Sequence, residues 1–315
     1  MKTENIFSFS KIACPICDEK AFSDVTIRPD SGSIVRCLSC GHIYLNPPIE
    51  DKVLTEIFEK YYVYRSDEAF MEIIEGWFTD PKGPYQYALK FVLADKGFNG
   101  KNVLEVGCGA GRFLAECRRY GAIVTGIDPS LTAWCLAKKY FDINPITKTL
   151  QQAVKEGDLP FSQFDFIFAF EVIEHVKRPG AFLLSLSQLL KPAGLLFIST
   201  PNFGLFYQMG NAAAAVAGYF EHLHYFTCGT LADCLRRYNL QPVDMVTTNM
   251  LNYGDRQKIM LSKNRLISFI WKAVRRITFI SALKNVIFKK LARHKEAIDL
   301  DWENGNNIVS ICRRQ

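Results

Sequence analysis

Val103-Leu104-Glu105-Val106-Gly107-Cys108-Gly109-Ala110-Gly111-Arg112-Phe113-Leu114 is the stretch that most narrows what this chain can fold into. An apolar run of strand length meets a turn with glycine at alternate positions, and the start of a helix follows. A side chain at Gly107, Gly109 or Gly111 would block close approach of a ligand or demand a disfavoured φ. A second apolar run, Ile123-Val124-Thr125-Gly126-Ile127, ends on Asp128. A glycine turn after one strand and a carboxylate after the next make a nucleoside-cofactor site, with the acid where a ribose diol would sit.

The glycine spacing is GxGxG, not the GxGxxG of dinucleotide binders. That points to S-adenosylmethionine (SAM), which carries no pyrophosphate, and away from an NAD-dependent oxidoreductase. Glu105, on the strand just before the turn, can face the cationic methionine end of SAM, directly or through water.

Glu105 to Gly111, Gly126-Ile127-Asp128-Pro129-Ser130, and Phe164-Asp165-Phe166-Ile167-Phe168-Ala169-Phe170-Glu171-Val172-Ile173-Glu174-His175-Val176 occur in that order. They are followed by Leu189-Leu190-Lys191-Pro192-Ala193-Gly194-Leu195-Leu196-Phe197-Ile198. Together they resemble class I SAM-dependent methyltransferases over roughly residues 100–202. The resemblance implies a Rossmann-like α/β fold with a seven-stranded sheet, and SAM as cofactor. It implies cofactor contacts from Glu105, Gly107, Cys108, Gly109, Gly111, Asp128 and Pro129. Thr149 and Leu150 would flank the adenine, and Phe170 and Glu171 would line the methionine side. His175 would lie close to the transferring methyl or start a helix.

Cys14-Pro15-Ile16-Cys17 and Cys37-Leu38-Ser39-Cys40, with nineteen residues between, present four thiolates from two tight knuckles. Such a set completes a tetrahedral zinc shell. Val25-Thr26-Ile27 and Ser33-Ile34-Val35-Arg36 read as a hairpin between the knuckles, turning at Asp30-Ser31-Gly32-Ser33. The predicted unit is a zinc ribbon with Cys14, Cys17, Cys37 and Cys40 as ligands, and His42 as the alternative to Cys40. So small a lobe needs a metal to hold it together, so the zinc is expected to be structural. The ribbon is not notably basic, which argues against a grip on nucleic acid. The other six of the ten cysteines are scattered, as suits a reducing cytoplasm.

At 315 residues the chain allows one large domain or two modest ones. The expected division is a zinc ribbon at 1–48, a helical linker or lid at 49–100, and a methyltransferase domain at 101–315. Strands are expected near 102–106, 123–127, 145–149, 164–170, 194–199, 241–248 and 307–313. Helices are expected near 51–64, 85–96, 111–120, 130–140, 179–190 and 227–238. Alternating β and α with apolar strands argues for a mostly parallel sheet covered on both faces. Residues 253–300 interrupt the last two strands as a basic amphipathic helical insertion. Between Lys263 and Arg293 stand nine Lys or Arg and no Asp or Glu. Subtracting those nine from the formal +6 leaves about −3 for the rest, so the basic character belongs to one segment. Residues 263–293 therefore suggest a peripheral contact with an anionic membrane, or a helical packing face. No leader peptide and no run of about eighteen apolar residues is visible, so the expected location is cytoplasmic, with membrane association through that segment.

Tyr219-Phe220-Glu221-His222-Leu223-His224-Tyr225-Phe226-Thr227 is the second chemical cluster. A histidine suits removal of a proton from a hydroxyl or an enolisable carbon near neutral pH. With the ribbon, Tyr-x-Glu-His resembles sugar C-methyltransferases. That resemblance makes His222 the candidate base, Tyr219 and Glu221 supporting groups, and a nucleotide-linked or glycan-precursor sugar the acceptor. Those enzymes typically carry a further large C-terminal domain, and this sequence stops soon after its last expected strand, a departure from that pattern. The alternatives are a small-molecule O-methyltransferase and an RNA methyltransferase that uses the ribbon to hold RNA. Phe170-Glu171-Val172 differs from the Asn/Asp-Pro-Pro-Tyr type of base-methylating enzymes, which counts against RNA. A non-catalytic SAM-binding scaffold should have a damaged turn, and here Glu105, the three glycines and Asp128 are intact.

Overall fold

The structure, a computed structural model, describes residues 7, 10–27, 32–61, 66–95, 97–204, 221–248 and 307–314. Tyr219 and the basic segment 263–293, within the expected insertion 253–300, lie outside these residues. Among the described residues no helix is long and apolar enough to cross a membrane.

The N-terminal lobe is a meander of three strands, β1 (Phe22–Ile27), β2 (Ser33–Cys37) and β3 (Ile43–Leu45). The expected hairpin is β1–β2, antiparallel with Phe22 opposite Cys37 and a bulge between Asp24 and Thr26. Asn46 closes the lobe: its side chain accepts from Ile12 N–H (2.8 Å) and donates to Ile12 O (3.0 Å).

Three helices follow: α1 (Asp51–Tyr61), α2 (Asp67–Thr79) and α3 (Pro84–Asp95). Ser66 caps α2 by accepting from Ala69 N–H at 3.2 Å. The chain then alternates through β4 (Asn102–Val106), α4 (Arg112–Arg119), β5 (Ile123–Ile127) and α5 (Leu131–Phe141). Next come α6 (Leu150–Glu156), β6 (Phe164–Phe170), α7 (Pro179–Leu189) and β7 (Leu190–Pro201). The last described elements are β8 (His224–Tyr225), α8 (Cys228–Arg237), β9 (Leu240–Thr248) and β10 (Asn307–Arg314).

The main sheet has six strands in the order β5-β4-β6-β7-β10-β9. β5, β4, β6 and β7 are parallel, and β10 runs antiparallel between β7 and β9. The expected seventh strand, 145–149, is reduced to a single parallel bridge, Ile127 to Ile146. Pro145 has no N–H to give a ladder. Thr149 is already the N-cap of α6, in a reciprocal capping box with Gln152, so its bonds go to the helix start and not to a ladder. Two bonds survive from the ladder, Ile146 N–H to Gly126 O and Asp128 N–H to Ile146 O.

Side-chain alternation along the buried strands makes two cores. Val103, Phe166, Phe168, Phe170, Phe197 and Ile311 pack with α3 and α4. Leu104, Ile167, Ala169, Leu196 and Ile308 pack with α7 and α8, and this core continues into the ribbon through Val35, Cys37 and Tyr44. Each fully buried Phe contributes roughly 1.5–3 kcal/mol. All the carboxyl ends of the parallel strands therefore open on one edge of a rigid sandwich.

Candidate active site

At that edge the glycine turn leaves β4. Gly107, Gly109 and Gly111 all have positive φ, and Gly111 is the left-handed N-cap of α4. Gly107 and Cys108 N–H both donate to Ile127 O, at 2.8 and 3.2 Å, which ties the turn to β5. Asp128 finishes the frame. One carboxylate oxygen accepts from Gly109 N–H (3.0 Å) and the other from Ser130 N–H (3.0 Å). A carboxylate fixed in this way at the end of the second strand stands where a ribose diol would be held.

Glu105 lies beneath the turn, only 3% exposed. Its Oε2 has no hydrogen-bond partner among the described residues. Burial, with Asp128 nearby, holds its carboxyl well above the usual carboxylate range. A buried carboxyl without a partner on Oε2 among the described residues, beside a second acid at a glycine turn, suits the ammonium and ribose hydroxyls that SAM would bring. The residues present fit that cofactor.

The other expected cofactor residues are placed unevenly. Cys108 is buried in the turn, and Pro129 is exposed beside Asp128. Thr149 is an exposed helix cap, while Leu150 belongs to the core with Ala153 and Leu159. Phe170 packs into an aromatic cluster, 4.7 Å from the Tyr85 ring and 5.2 Å from Phe113. Glu171, in contrast, turns out at the strand end with φ 56°. Its Oε1 accepts from Ser199 Oγ (2.7 Å) and Asn307 Nδ2 (2.8 Å).

Just beyond, Glu174, His175 and His222 each bring one donor atom to within 4.8 Å of the others. The two imidazoles stand edge to face, with centroids 4.7 Å apart. Glu174 accepts from Thr200 Oγ1 at 3.0 Å and lies 3.7 Å from His175 Nε2. His175 Nδ1 is 3.3 Å from Glu221 O. A carbonyl only accepts, so Nδ1 donates to it, and Nε2 is the nitrogen that faces Glu174. A carboxylate with two imidazoles is a proton-relay set, and it is also a mixed oxygen and nitrogen donor set for a cation. Of the expected catalytic group, His222 and His175 meet here, and Glu221 contributes its backbone carbonyl. Glu174 is the member that residue-type reasoning missed. A carboxylate directly before a histidine at the end of a buried strand was its signal.

The four ribbon thiols also converge, within 4.8 Å of one another. Cys14 and Cys40 Sγ are 3.6 Å apart, and Cys17 and Cys37 Sγ 3.5 Å. Zn–S bonds of about 2.3 Å in a tetrahedron need S···S edges of roughly 3.8 Å, so the set fits zinc. His42, expected as the alternative to Cys40, is not in the converging group, and its Nε2 lies 3.0 Å from His224 Nδ1. Burial pushes His42 well below its ordinary pKa and His224 down to about 4, so both are neutral.

A mostly parallel sheet, a GxGxG turn and a ribose-ready Asp128 define a nucleoside-cofactor α/β enzyme of the SAM type. A family model described as a methyltransferase domain matches residues 83–244, just over half of the chain. The chain belongs to this family and carries a class I SAM-dependent methyltransferase domain. A ubiquinone biosynthesis O-methyltransferase of Glaesserella parasuis serovar 5 (strain SH0165) is 36% identical over 149 residues, covering 43% of this chain and 63% of that protein. The mitochondrial ubiquinone biosynthesis O-methyltransferase of Schizosaccharomyces pombe is 38% identical over 107 residues, 33% of this chain and 39% of that protein. The chain thus spans less than two thirds of these curated relatives. Among solved structures, a candidate methyltransferase from Bacillus halodurans C-125 shares the fold, with a TM-score of 0.50 at 15% identity over 73% of this chain and 99% of that one.

Proposed function

We propose that this chain transfers the methyl group of SAM to a hydroxyl oxygen of a small molecule. The observation that carries the reading is the meeting of Glu174, His175 and His222 at the carboxyl end of β6, beside the cofactor turn. The O-methyltransferase names of the relatives support oxygen as the acceptor atom. The sugar C-methyl reading has less behind it: the relatives are not named as sugar enzymes, and Tyr219 lies outside the described residues.

SAM, when bound, supplies a methyl on a sulfonium, a leaving group that needs no protonation. The residues assigned to hold it are the Gly107–Gly111 turn with Glu105 beneath, Asp128 and Pro129 beside the ribose, and Thr149, Leu150, Phe170 and Glu171 around the rest. His222 is assigned as the base that takes the acceptor proton. His175, oriented by Glu221 O, and Glu174 stabilise the imidazolium that results. The zinc bound by Cys14, Cys17, Cys37 and Cys40 is structural. The ribbon at 1–48, the helical lid at 49–100 and the methyltransferase domain at 101–315 remain the proposed division.

The test is to incubate the protein with SAM bearing a deuterated methyl and two host pools, small metabolites and stripped RNA. Label in a small molecule that ether cleavage releases supports the reading. Label that survives ether cleavage moves the acceptor to carbon or nitrogen. Label in RNA overturns it and makes the ribbon an RNA-binding element.

A further inference from the structure

The ribbon's sheet does not end with the ribbon. Its fourth strand is β8, far along the chain, antiparallel to β3 with Tyr44 opposite His224 and Ile43 opposite Tyr225. Leu45 N–H also donates to Leu223 O at 2.9 Å. The same segment is bonded on to the loop after β6: Leu223 and His224 N–H both donate to Glu174 O, at 2.8 and 3.1 Å. His222 and β8 therefore form a strip held between the thiol-bearing lobe and the loop that carries Glu174 and His175.

Two buried side chains repeat this link. His224 Nε2 is 2.8 Å from Val176 O, the residue after His175. The carbonyl only accepts, so Nε2 carries the proton and neutral His224 offers Nδ1 as an acceptor. His42 Nε2 donates to that nitrogen across 3.0 Å. The proton order is thus set, His42 to His224 to Val176. His42 is 1% exposed, and its carbonyl accepts from Cys37 N–H at 2.9 Å. The path therefore starts at a thiol ligand. Meanwhile His42 Nδ1 is buried without a partner among the described residues. Leaving it so costs stability, and an apolar residue would fill the space without that cost. An imidazole here is explained by what its other nitrogen does.

We propose that His42 and His224 are positioning residues through which filling of the four-thiol site sets the placement of His175 and His222. The inference rests on the reading of that pair as the acceptor-side acid–base group.

The test uses full-length zinc-loaded protein with ¹⁵N-labelled histidine. The chain has only five histidines, so the imidazole signals can be assigned one by one. Three forms are compared: wild type, His42→Phe, and His42→Gln, whose amide N–H can still donate to His224. Zinc content and affinity for S-adenosylhomocysteine serve as controls. The expected result is that His42→Phe keeps zinc and S-adenosylhomocysteine binding but displaces the His175 and His222 signals, and His42→Gln restores them. Unmoved His175 and His222 signals in His42→Phe overturn the proposal. Should His42→Phe fail to fold, stripping zinc from the wild type with a chelator gives the same readout. Shifted histidine signals with S-adenosylhomocysteine still bound support the coupling, whereas unmoved signals or general collapse overturn it. The readout does not depend on turnover. If the signals move while methyl transfer is unaffected, the coupling stands and the acid–base reading fails.

Discussion

Gly107 and Val172 meet across the mouth of the site: a Cβ on Gly107 would lie 2.5 Å from Val172 Cγ2. The cofactor turn and the loop bearing Glu171 and Glu174 are therefore in van der Waals register, and only a bare Cα lets them be. Gly107 also has φ +72°. Gly107→Ala meets two penalties, about 1–2 kcal/mol for a left-handed non-glycine residue and about 1–3 kcal/mol for overpacking. The expected outcome is a lower melting temperature and at least a tenfold loss, roughly 1.4 kcal/mol, in S-adenosylhomocysteine affinity. Calorimetric titration checks it, and wild-type affinity would remove the turn from the cofactor site.

Zinc binding makes a second expectation. Elemental analysis should find zinc in the purified protein, and Cys37→Ser should lose it. Cys37 N–H bonds to His42 O and its residue pairs with Phe22, so the whole three-stranded lobe depends on that knuckle. Structural zinc sites in small domains supply on the order of 10 kcal/mol of apparent binding energy. Chelation should therefore lower the melting temperature sharply. A protein that melts identically with and without chelator would contradict the structural role.

How much of this was legible in the sequence follows from how local each signal is. β4, β5 and β6 are short buried apolar runs bounded by turns, and their ends coincide with those expected from residue pattern. The two thiol knuckles read off spacing alone. α6 was hidden because seven residues hold barely two turns of periodicity. α2 was legible although not expected: Ser66 with Asp67 and Glu68 marks its start, and Phe70, Ile73, Ile74, Trp77 and Phe78 recur at i, i+3, i+4, i+7 and i+8. β8 could not be read at all: two residues joining the ribbon sheet is a tertiary event. The site divides the same way. Gly107 to Asp128 is a motif, whereas Glu174 beside His222 brings together residues far apart in the chain, which residue pattern does not show.

The Glu105 carboxyl gives a pH prediction. Its folded pKa is raised by burial and by Asp128, so between its ordinary value and the raised one the folded protein binds a proton that the unfolded chain has released. Stability of the cofactor-free protein should therefore fall as pH rises through that window. Glu105→Gln removes the titration and should flatten the profile, making the variant the more stable form at neutral and higher pH. Urea unfolding at several pH values measures this, and parallel profiles for the two proteins would show that Glu105 is not the source.

His222 and Glu174 separate chemistry from binding. His222→Ala and Glu174→Gln remove proton-transfer groups that lie beyond the glycine turn, so S-adenosylhomocysteine affinity should stay at the wild-type level in both. General acid–base groups contribute about 10²–10⁴-fold, so kcat/KM for the methylated acceptor should fall within that range. Glu174→Gln keeps an oxygen for Thr200 Oγ1, which lies 3.0 Å away, so its defect should appear in kcat without loss of fold. The limb of the pH–rate profile that reports proton loss from the free enzyme should flatten in His222→Ala. A fall in kcat with that limb intact would move the base to His175, whose Nε2 faces the same carboxylate.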